Sequence, residues 1–228
     1  MKLARIRALT LDLDDTLWPI APAILRAEAA LHEWLVDNAP ATAAAFDIAA
    51  LRELRDEVGR AKPQWAHDFT RIRLESLRVA LRRAGDDEVL ADAAFEVFFA
   101  ARHEVELYPE VLAALQRLSA AYPLFALSNG NADIGRVGLG PLFRGALSAR
   151  EFGVGKPDPR IFVEACRRLG CEAGEVLHVG DDLELDVLGA QAAGLQTLWL
   201  RREACAALPR DGVATVACLK SLADTLGC

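Results

Sequence analysis

Residues 6–11 (IRALTL) form an apolar run that leads directly into residues 12–16 (DLDDT). The run predicts a buried strand, and extended backbone places the side chains of Asp12 and Asp14 on the same side of that strand. Two carboxylates about 4 Å apart repel each other by roughly 4 kcal/mol at an effective dielectric of about 20. We therefore expect a cation beside this strand end. The alternative interpretation is a strand end followed by a helix cap of Asp or Thr.

The composition indicates a folded, acidic protein. The chain has 228 residues, of which 53% are hydrophobic, and its formal net charge is −7. This length accommodates one main core and a smaller second domain. The acidic balance argues against nucleic acid or an anionic membrane as a partner. We expect a monomer or homodimer that binds a small anion at a local cationic site.

Cysteine usage and the apolar runs bear on the cellular compartment. The cysteines are odd in number and lack the paired spacing of a zinc site, and neither a signal peptide nor a membrane-spanning stretch is apparent. We therefore expect free thiols in a cytoplasmic protein. The five cysteines are Cys166, Cys171, Cys205, Cys218 and Cys228.

Two sequence patterns divide the chain. Residues 22–103 have apolar residues at helical spacing, and breaks at 38–40, 59–63 and 85–87 predict a bundle of four helices. From residue 108 the pattern changes to helices alternating with strands, which predicts an α/β fold with a parallel sheet and helices on both faces. We predict an α/β domain from residues 1–18 and 107–228, with a helical insertion at 19–106. The predicted elements after residue 108 are helices 110–121, 160–169 and 183–193 and strands 124–127, 176–179, 196–200 and 213–216.

Polar residues follow two further predicted strands. Ser128 and Asn129 follow strand 124–127, and Asp181 follows strand 176–179, with Asp186 in the next helix. The carboxyl ends of parallel strands meet at one edge of a sheet, where ligands bind. Oxygen ligands without imidazoles or thiolates suit Mg²⁺. The alternative is that these acidic residues, with Asp182, complement a helix N-terminus.

Lysine usage singles out one basic residue. Only four of the 26 basic residues are lysine, and one of them, Lys156, lies in a stiff loop, residues 155–159 (GKPDP). A chain so biased towards arginine that retains lysine here indicates a need for a compact ammonium, although chance alone could leave one lysine there. The four are Lys2, Lys62, Lys156 and Lys220.

Together these residues resemble the four motifs, in order, of the haloacid dehalogenase superfamily, most of whose members are Mg²⁺-dependent phosphohydrolases. The resemblance covers the whole chain and implies a Rossmann-like core with an inserted helical cap. It also implies that Asp12 is a nucleophile forming an aspartyl-phosphate and that Asp14 is the acid and then the base. The motif residues are DLDDT at 12–16, Ser128, Lys156, and Gly180 and Asp181 with Asp186.

The resemblance also implies how phosphate and metal are held. Phosphate would bind Thr16, Ser128, Asn129 and Lys156, and Lys156 would neutralise charge on the nucleophile and the phosphoryl group. Mg²⁺ would be bound by Asp12, the backbone carbonyl of Asp14 and Asp181. Asp186 or Asp182 would lie behind a water molecule.

The residue at position 14 separates branches of the superfamily. Members that displace halide generally lack an aspartate there, so Asp14 favours phosphoester chemistry. A hexose-phosphate mutase and a silent binding module remain alternatives, and a 2-haloacid dehalogenase is a further one. Several stretches, among them residues 67–71 (HDFTR) of the predicted cap, resemble bacterial phosphatases of the riboflavin pathway, which act on 5-amino-6-(5-phospho-D-ribitylamino)uracil and flavin mononucleotide. Candidate specificity residues are Trp18, His67, Thr70 and Arg71, for each of which helix surface or core packing is the alternative.

Overall fold

The computed structural model describes residues 5–202 and 213–228, so Lys2 and Cys205 lie outside the described residues. The chain divides into two compact units. The core unit comprises Met1–Pro19 and Glu106–Cys228, and the helical unit comprises Ile20–Val105. Across the two described stretches, no helix combines the length and the apolar character needed to pass through a bilayer.

The described part of the core unit contains a six-stranded parallel sheet in the order β3-β2-β1-β4-β5-β6. All four residues of β1 are fully buried. Successive side chains of a strand point to opposite faces, so both faces of the sheet are covered. The predicted α/β fold is therefore confirmed. The strands are β1 (Ala8–Leu11), β2 (Leu124–Ser128), β3 (Gly145–Ser148), β4 (Val176–Gly180), β5 (Gln196–Leu200) and β6 (Thr215–Val216).

The position of β1 decides where a ligand can bind. Leu9 is paired with Leu124 of β2 on one side and with Leu177 of β4 on the other. The chain proceeds from β1 through β2 to β3 in one direction and from β4 through β5 to β6 in the other. The strand order thus reverses between β1 and β4, and the carboxyl ends of these two strands flank the crevice where such folds bind ligands.

The helical unit, all of whose residues are described, has four long helices and a short one. Asp47 explains the fifth helix, which the sequence did not predict, because its side chain accepts a hydrogen bond from the N–H of Ala50 (2.8 Å) and starts a new helix. Buried residues such as Leu31, Leu81 and Phe98 form the unit's own core. The helices are α1 (Ile20–Asn38), α2 (Pro40–Ala45), α3 (Ile48–Ala61), α4 (Phe69–Ala84) and α5 (Leu90–Arg102).

Helices of the core unit cover the sheet. Ile161 and Phe162 pack with Phe125 and Val176 of the strands in one apolar cluster. In the described residues these helices are α6 (Val111–Ala121), α7 (Ala149–Phe152), α8 (Pro159–Leu169), α9 (Gly189–Ala192) and α10 (Leu219–Leu226).

The structure corrects three local predictions. Strand β3 was missed because its short sequence, GALS, has no run of β-branched residues. The predicted helix 183–193 is a wider π-helical turn, Leu183–Leu188, followed by the short helix α9. The last strand has only two residues, Thr215 and Val216, rather than the four predicted at 213–216.

Candidate active site

The turn after β1 places Asp12 at the centre of the site. The N–H of Asp12 donates to the carbonyl of Val179 on β4 (3.0 Å), and the residue is only 7% exposed. Asp15 has a φ of 61°, a left-handed conformation that Asp tolerates better than most residues. Its N–H donates to the carbonyl of Trp18 (2.8 Å) and closes a tight turn.

Lys156 bridges two carboxylates inside this site. Its Nζ lies 2.5 Å from Oδ1 of Asp12 and 2.6 Å from Oδ1 of Asp186, and the lysine is 5% exposed. Burial disfavours the ammonium, but the two carboxylates outweigh it and raise the pKa of Lys156. Burial would likewise raise the pKa of Asp186, but Lys156 and His178 outweigh it and the pKa is lowered. Lys156 and Asp186 therefore form a charged buried pair.

Asp12 is less well compensated. Burial raises its pKa, Lys156 offsets only part of that effect, and the charge of Asp186 adds to it. Burial also raises the pKa of Asp181 to about 6. Among the described residues, ligand oxygens of Asp12, Asp181 and Asp186 all lie within 4.8 Å of one another. Three carboxylates against one ammonium leave excess negative charge, so this set of hard oxygen donors fits a divalent cation such as Mg²⁺.

His178 on β4 contacts the Asp186 side of the Lys156–Asp186 pair. Its Nε2 lies 3.1 Å from Oδ1 of Asp186, and its Nδ1 lies 2.8 Å from the hydroxyl of Thr10 on β1. Burial lowers the pKa of His178, so the imidazole is neutral. An ionised carboxylate only accepts, so Nε2 carries the proton and Nδ1 accepts from Thr10. The sequence does not mark His178 as a site residue, because it looks like an ordinary member of a buried strand.

Thr16 and Trp199 hold Asp181 from two sides. The hydroxyl of Thr16 donates to Oδ1 of Asp181 (2.9 Å), and Nε1 of Trp199 on β5 donates to its backbone carbonyl (2.7 Å). The Thr16 hydroxyl is thus directed at a candidate metal ligand. Asp182 caps the π-helical turn, because its Oδ1 accepts from the N–H groups of Glu184 and Leu185, each at 2.8 Å. For Asp182 this contact matches the alternative interpretation, in which the acidic residue complements the N-terminus of a helix.

Asn129 joins two loops at the edge of the sheet. Its Nδ2 donates to the carbonyl of Lys156 (2.8 Å), and its Oδ1 accepts from the N–H of Lys156 (2.7 Å). Ser128 is buried, and its Oγ accepts from the N–H of Gly130 (2.9 Å). The sequence placed both residues at the site. It did not reveal that Asn129 fixes the backbone of Lys156.

Two glycines allow these close approaches. A Cβ at Gly180 would lie 2.2 Å from Cγ of Asp186, and one at Gly155 would lie 2.5 Å from Oδ1 of Asn129. Both distances are shorter than any van der Waals contact. The absence of a side chain at Gly180 is therefore what lets Asp186 reach Lys156.

The predicted specificity residues have mixed surroundings. Trp18 is 0% exposed, and its Nε1 donates to Oδ1 of Asp14 (2.9 Å), so it presents no ring face for a substrate. Thr70 is also buried, at 2% exposure, which fits packing rather than contact with a ligand. Arg71 is exposed and lies 4.1 Å above the ring of Trp65, and His67 is half-buried. For His67 and Arg71 a role in specificity stays a prediction.

Comparisons with known proteins agree with this geometry. Residues 6–194 match the model of the haloacid dehalogenase-like hydrolase family. The chain is 38% identical over 205 residues to the 5-amino-6-(5-phospho-D-ribitylamino)uracil phosphatase YigB of Escherichia coli K12. The aligned region covers 88% of this chain and 86% of that protein. It is 30% identical over 206 residues to a glyceraldehyde 3-phosphate phosphatase of Methanopyrus kandleri, with 86% and 84% covered.

A solved structure extends the likeness to the whole fold. The crystal structure of a 2-haloacid dehalogenase from Pseudomonas syringae pv. Tomato DC3000 superimposes with a TM-score of 0.90 at 40% identity, covering 97% of this chain and 98% of that one. The predicted resemblance is confirmed: the chain is an enzyme that belongs to the haloacid dehalogenase-like hydrolases.

Proposed function

We propose that this enzyme is a Mg²⁺-dependent phosphomonoester hydrolase that acts on a small organic phosphate through an aspartyl-phosphate. The observation that carries the proposal is the buried ammonium of Lys156 between Asp12 and Asp186. A dianionic phosphate approaching several carboxylates needs such a fixed positive charge. We further propose that the helical unit, which begins four residues after Thr16, is the cap that selects the substrate. A cytoplasmic location and a monomeric or homodimeric state stay predictions.

The first chemical step uses Asp12 and Asp14. An oxygen of Asp12 forms a bond to phosphorus, the ester P–O bond breaks, and the proton of Asp14 passes to the leaving alkoxide. Nε1 of Trp18 donates to Oδ1 of Asp14, so that proton is carried on Oδ2. In the second step Asp14 takes a proton from water, the water oxygen attacks phosphorus, and the Asp12–phosphorus bond breaks. Inorganic phosphate leaves and both side chains return to their starting states.

The remaining residues hold charge in place. Lys156 stabilises the phosphoryl oxygens, and Ser128, whose Oγ already accepts from Gly130, can donate its hydroxyl hydrogen to one of them. Mg²⁺ would be held by Asp12, Asp181 and the backbone carbonyl of Asp14, and when bound it neutralises phosphate charge and polarises the phosphoryl group. Both oxygens of Asp186 already accept hydrogen bonds, from Lys156, His178 and the N–H of Asp182. We therefore assign Asp186 to holding Lys156.

The relatives leave a choice between phosphate esters and haloacids, and Asp14 favours the first. A halide leaves as a stable anion and needs no proton, whereas an alkoxide does. An acid fixed by Trp18 serves only the ester reaction. Among phosphates, the likeness to YigB supports a riboflavin-pathway phosphate or flavin mononucleotide as the substrate.

A substrate panel tests the proposal. We expect release of inorganic phosphate from 5-amino-6-(5-phospho-D-ribitylamino)uracil or flavin mononucleotide that requires Mg²⁺ and stops with a chelator. We expect no chloride from 2-chloropropionate. Asp14→Asn should slow the first step with alkyl phosphates at least about 100-fold. The first, burst release of p-nitrophenol from p-nitrophenyl phosphate should be affected far less, because that leaving group needs no proton, whereas later turnovers should be slow with both substrates because Asp14 also activates the water. Chloride release would contradict the proposal, and a requirement for a sugar bisphosphate would indicate a mutase.

His178 provides a test of how Lys156 is supported. We expect His178→Leu to lower kcat at least about tenfold, because Asp186 loses a donor and no longer holds Lys156 in place. His178→Gln should keep kcat within about threefold, since its amide can donate to the same oxygen. In both variants KM and the half-saturating Mg²⁺ concentration should change little. Equal losses in the Leu and Gln variants would contradict this role.

A further inference from the structure

Arg202 lies two residues beyond the end of β5, at the same edge of the sheet as Asp12 and Asp181. Its side chain is only 12% exposed, although the residue matches none of the motifs in the sequence. A buried arginine needs partners for its charge and its donors. All of its contacts described below are within the core unit.

The guanidinium makes four contacts with two segments of chain. Nε and Nη2 both donate to the carbonyl of Thr16, at 2.9 and 2.6 Å. Nη1 donates to Oε1 of Glu110 (2.6 Å), and the guanidinium lies 3.7 Å above the ring of Tyr108. Burial disfavours the charge of Glu110, but the hydrogen bond and charge of Arg202 and hydrogen bonds from backbone N–H groups together outweigh it and lower the pKa of Glu110. Only a planar, forked cation can make these contacts together.

The two segments are the ones that connect the core unit with the helical insertion. The chain leaves the core unit after Pro19 and re-enters it at Glu106. The N–H of Tyr108 donates to the carbonyl of Leu17 (3.1 Å), so the two segments are also joined directly. Arg202, which lies in a third part of the chain, therefore binds both of these segments.

The same contact supports the site. The Thr16 carbonyl is held by Arg202 while the Thr16 hydroxyl donates to Asp181. From the end of β5, Trp199 holds the carbonyl of Asp181. The end of β5 thus fixes the backbone at both partners of the Thr16–Asp181 hydrogen bond.

We propose that Arg202 is a positioning residue. It fixes the turn that carries Asp14 and Thr16, and it fixes the two segments that connect the core unit with the helical insertion. The role in turnover rests on the proposed phosphatase function. Without Arg202, the turn would lose the interactions that hold its carbonyl, and Asp14 and Thr16 would spend less time in their catalytic positions.

Two measurements on the full-length enzyme test this role. We expect Arg202→Ala to lower kcat for p-nitrophenyl phosphate at least about tenfold with a smaller change in KM. Added methylguanidinium should restore part of the activity, whereas methylammonium should not. Hydrogen exchange should become faster in amides 14–18 and 106–108. Arg202→Lys should behave like the Ala variant, and it replaces that variant if the latter does not fold.

Arg117 provides a matched control. It also binds a carboxylate, Asp224 (2.7 Å), and a backbone carbonyl, that of Cys228, but it lies on α6 away from the described site. Arg117→Ala should leave kcat and exchange in both segments unchanged. Wild-type kcat or unchanged exchange in the Arg202 variants would overturn the proposal. If the wild-type enzyme hydrolyses no phosphate, the proposed function fails, and hydrogen exchange still decides whether Arg202 fixes these segments.

Discussion

Asp12→Asn is expected to lower turnover of p-nitrophenyl phosphate by at least about 10⁴-fold. The amide cannot form the acyl-phosphate bond, and the two described carboxylates nearest to it are engaged elsewhere, Asp186 with Lys156 and Asp181 with Thr16. The measurement is steady-state release of p-nitrophenol with Mg²⁺ present. Trapping should agree: wild-type enzyme should form a phosphorylated adduct at Asp12 detectable by mass spectrometry, and the variant should not.

The stability of this variant separates a lost nucleophile from a lost fold. Asn keeps an oxygen that can accept a hydrogen bond from Lys156. It also removes a carboxylate charge that burial already disfavours. We therefore expect the melting temperature without metal to stay the same or to rise. A variant with appreciable turnover and no deamidation would show that Asp12 is not the nucleophile. A large fall in melting temperature would assign it a structural role.

Lys156→Met is expected to reduce kcat by about 10³-fold or more. The change removes the only cation seen between Asp12 and Asp186 in the described residues and leaves their charges buried together. Removing one partner of a buried ion pair also destabilises a protein by about 3–5 kcal/mol. Urea unfolding and turnover should therefore both be affected. Lys156→Arg should not rescue turnover, because a wide planar guanidinium cannot replace a compact ammonium.

Two further variants make this result interpretable. Lys220→Met makes the same chemical change at an exposed position of α10 and should alter neither kcat nor stability. Lys156→Met combined with Asp186→Asn removes both charges, and it should regain stability without regaining activity. A loss of activity below threefold in Lys156→Met would remove the assigned role, as would recovery of activity in the double variant.

The sequence predicted the parts of the fold that depend on local patterns. Apolar strands followed by Asp12, Ser128 and Asp181 could be recognised because each strand end is encoded within a few adjacent residues. Parallel strands then require these ends to share one edge. The prediction that the acidic groups converge follows from the same rule, whereas the role of Lys156 beside Asp12 was implied by the family resemblance. The described geometry agrees with both.

The rest of the site depends on contacts between residues far apart in sequence. Thr10 and His178 are 168 residues apart and become partners only because β1 pairs with β4. The link between Arg202 and Thr16, 186 residues apart, has no local signal at all. Trp18 is a candidate for contact with a substrate, with core packing as the alternative, because an aromatic near a site is compatible with both. The structure buries it. Residues that position others are therefore the ones that pattern reasoning misses.

The π-helical turn Leu183–Leu188 limits how this enzyme can change over evolution. Its extra residue per turn sets the direction in which Asp186 projects, and Gly180 leaves the space that this side chain enters. Inserting or deleting one residue between Asp181 and Asp186 would rotate the second carboxylate by about 80° around the axis of the π-helical turn. The spacing of these two acids is therefore constrained as strictly as their identity. Alignments of relatives should place gaps before or after this segment and not within it.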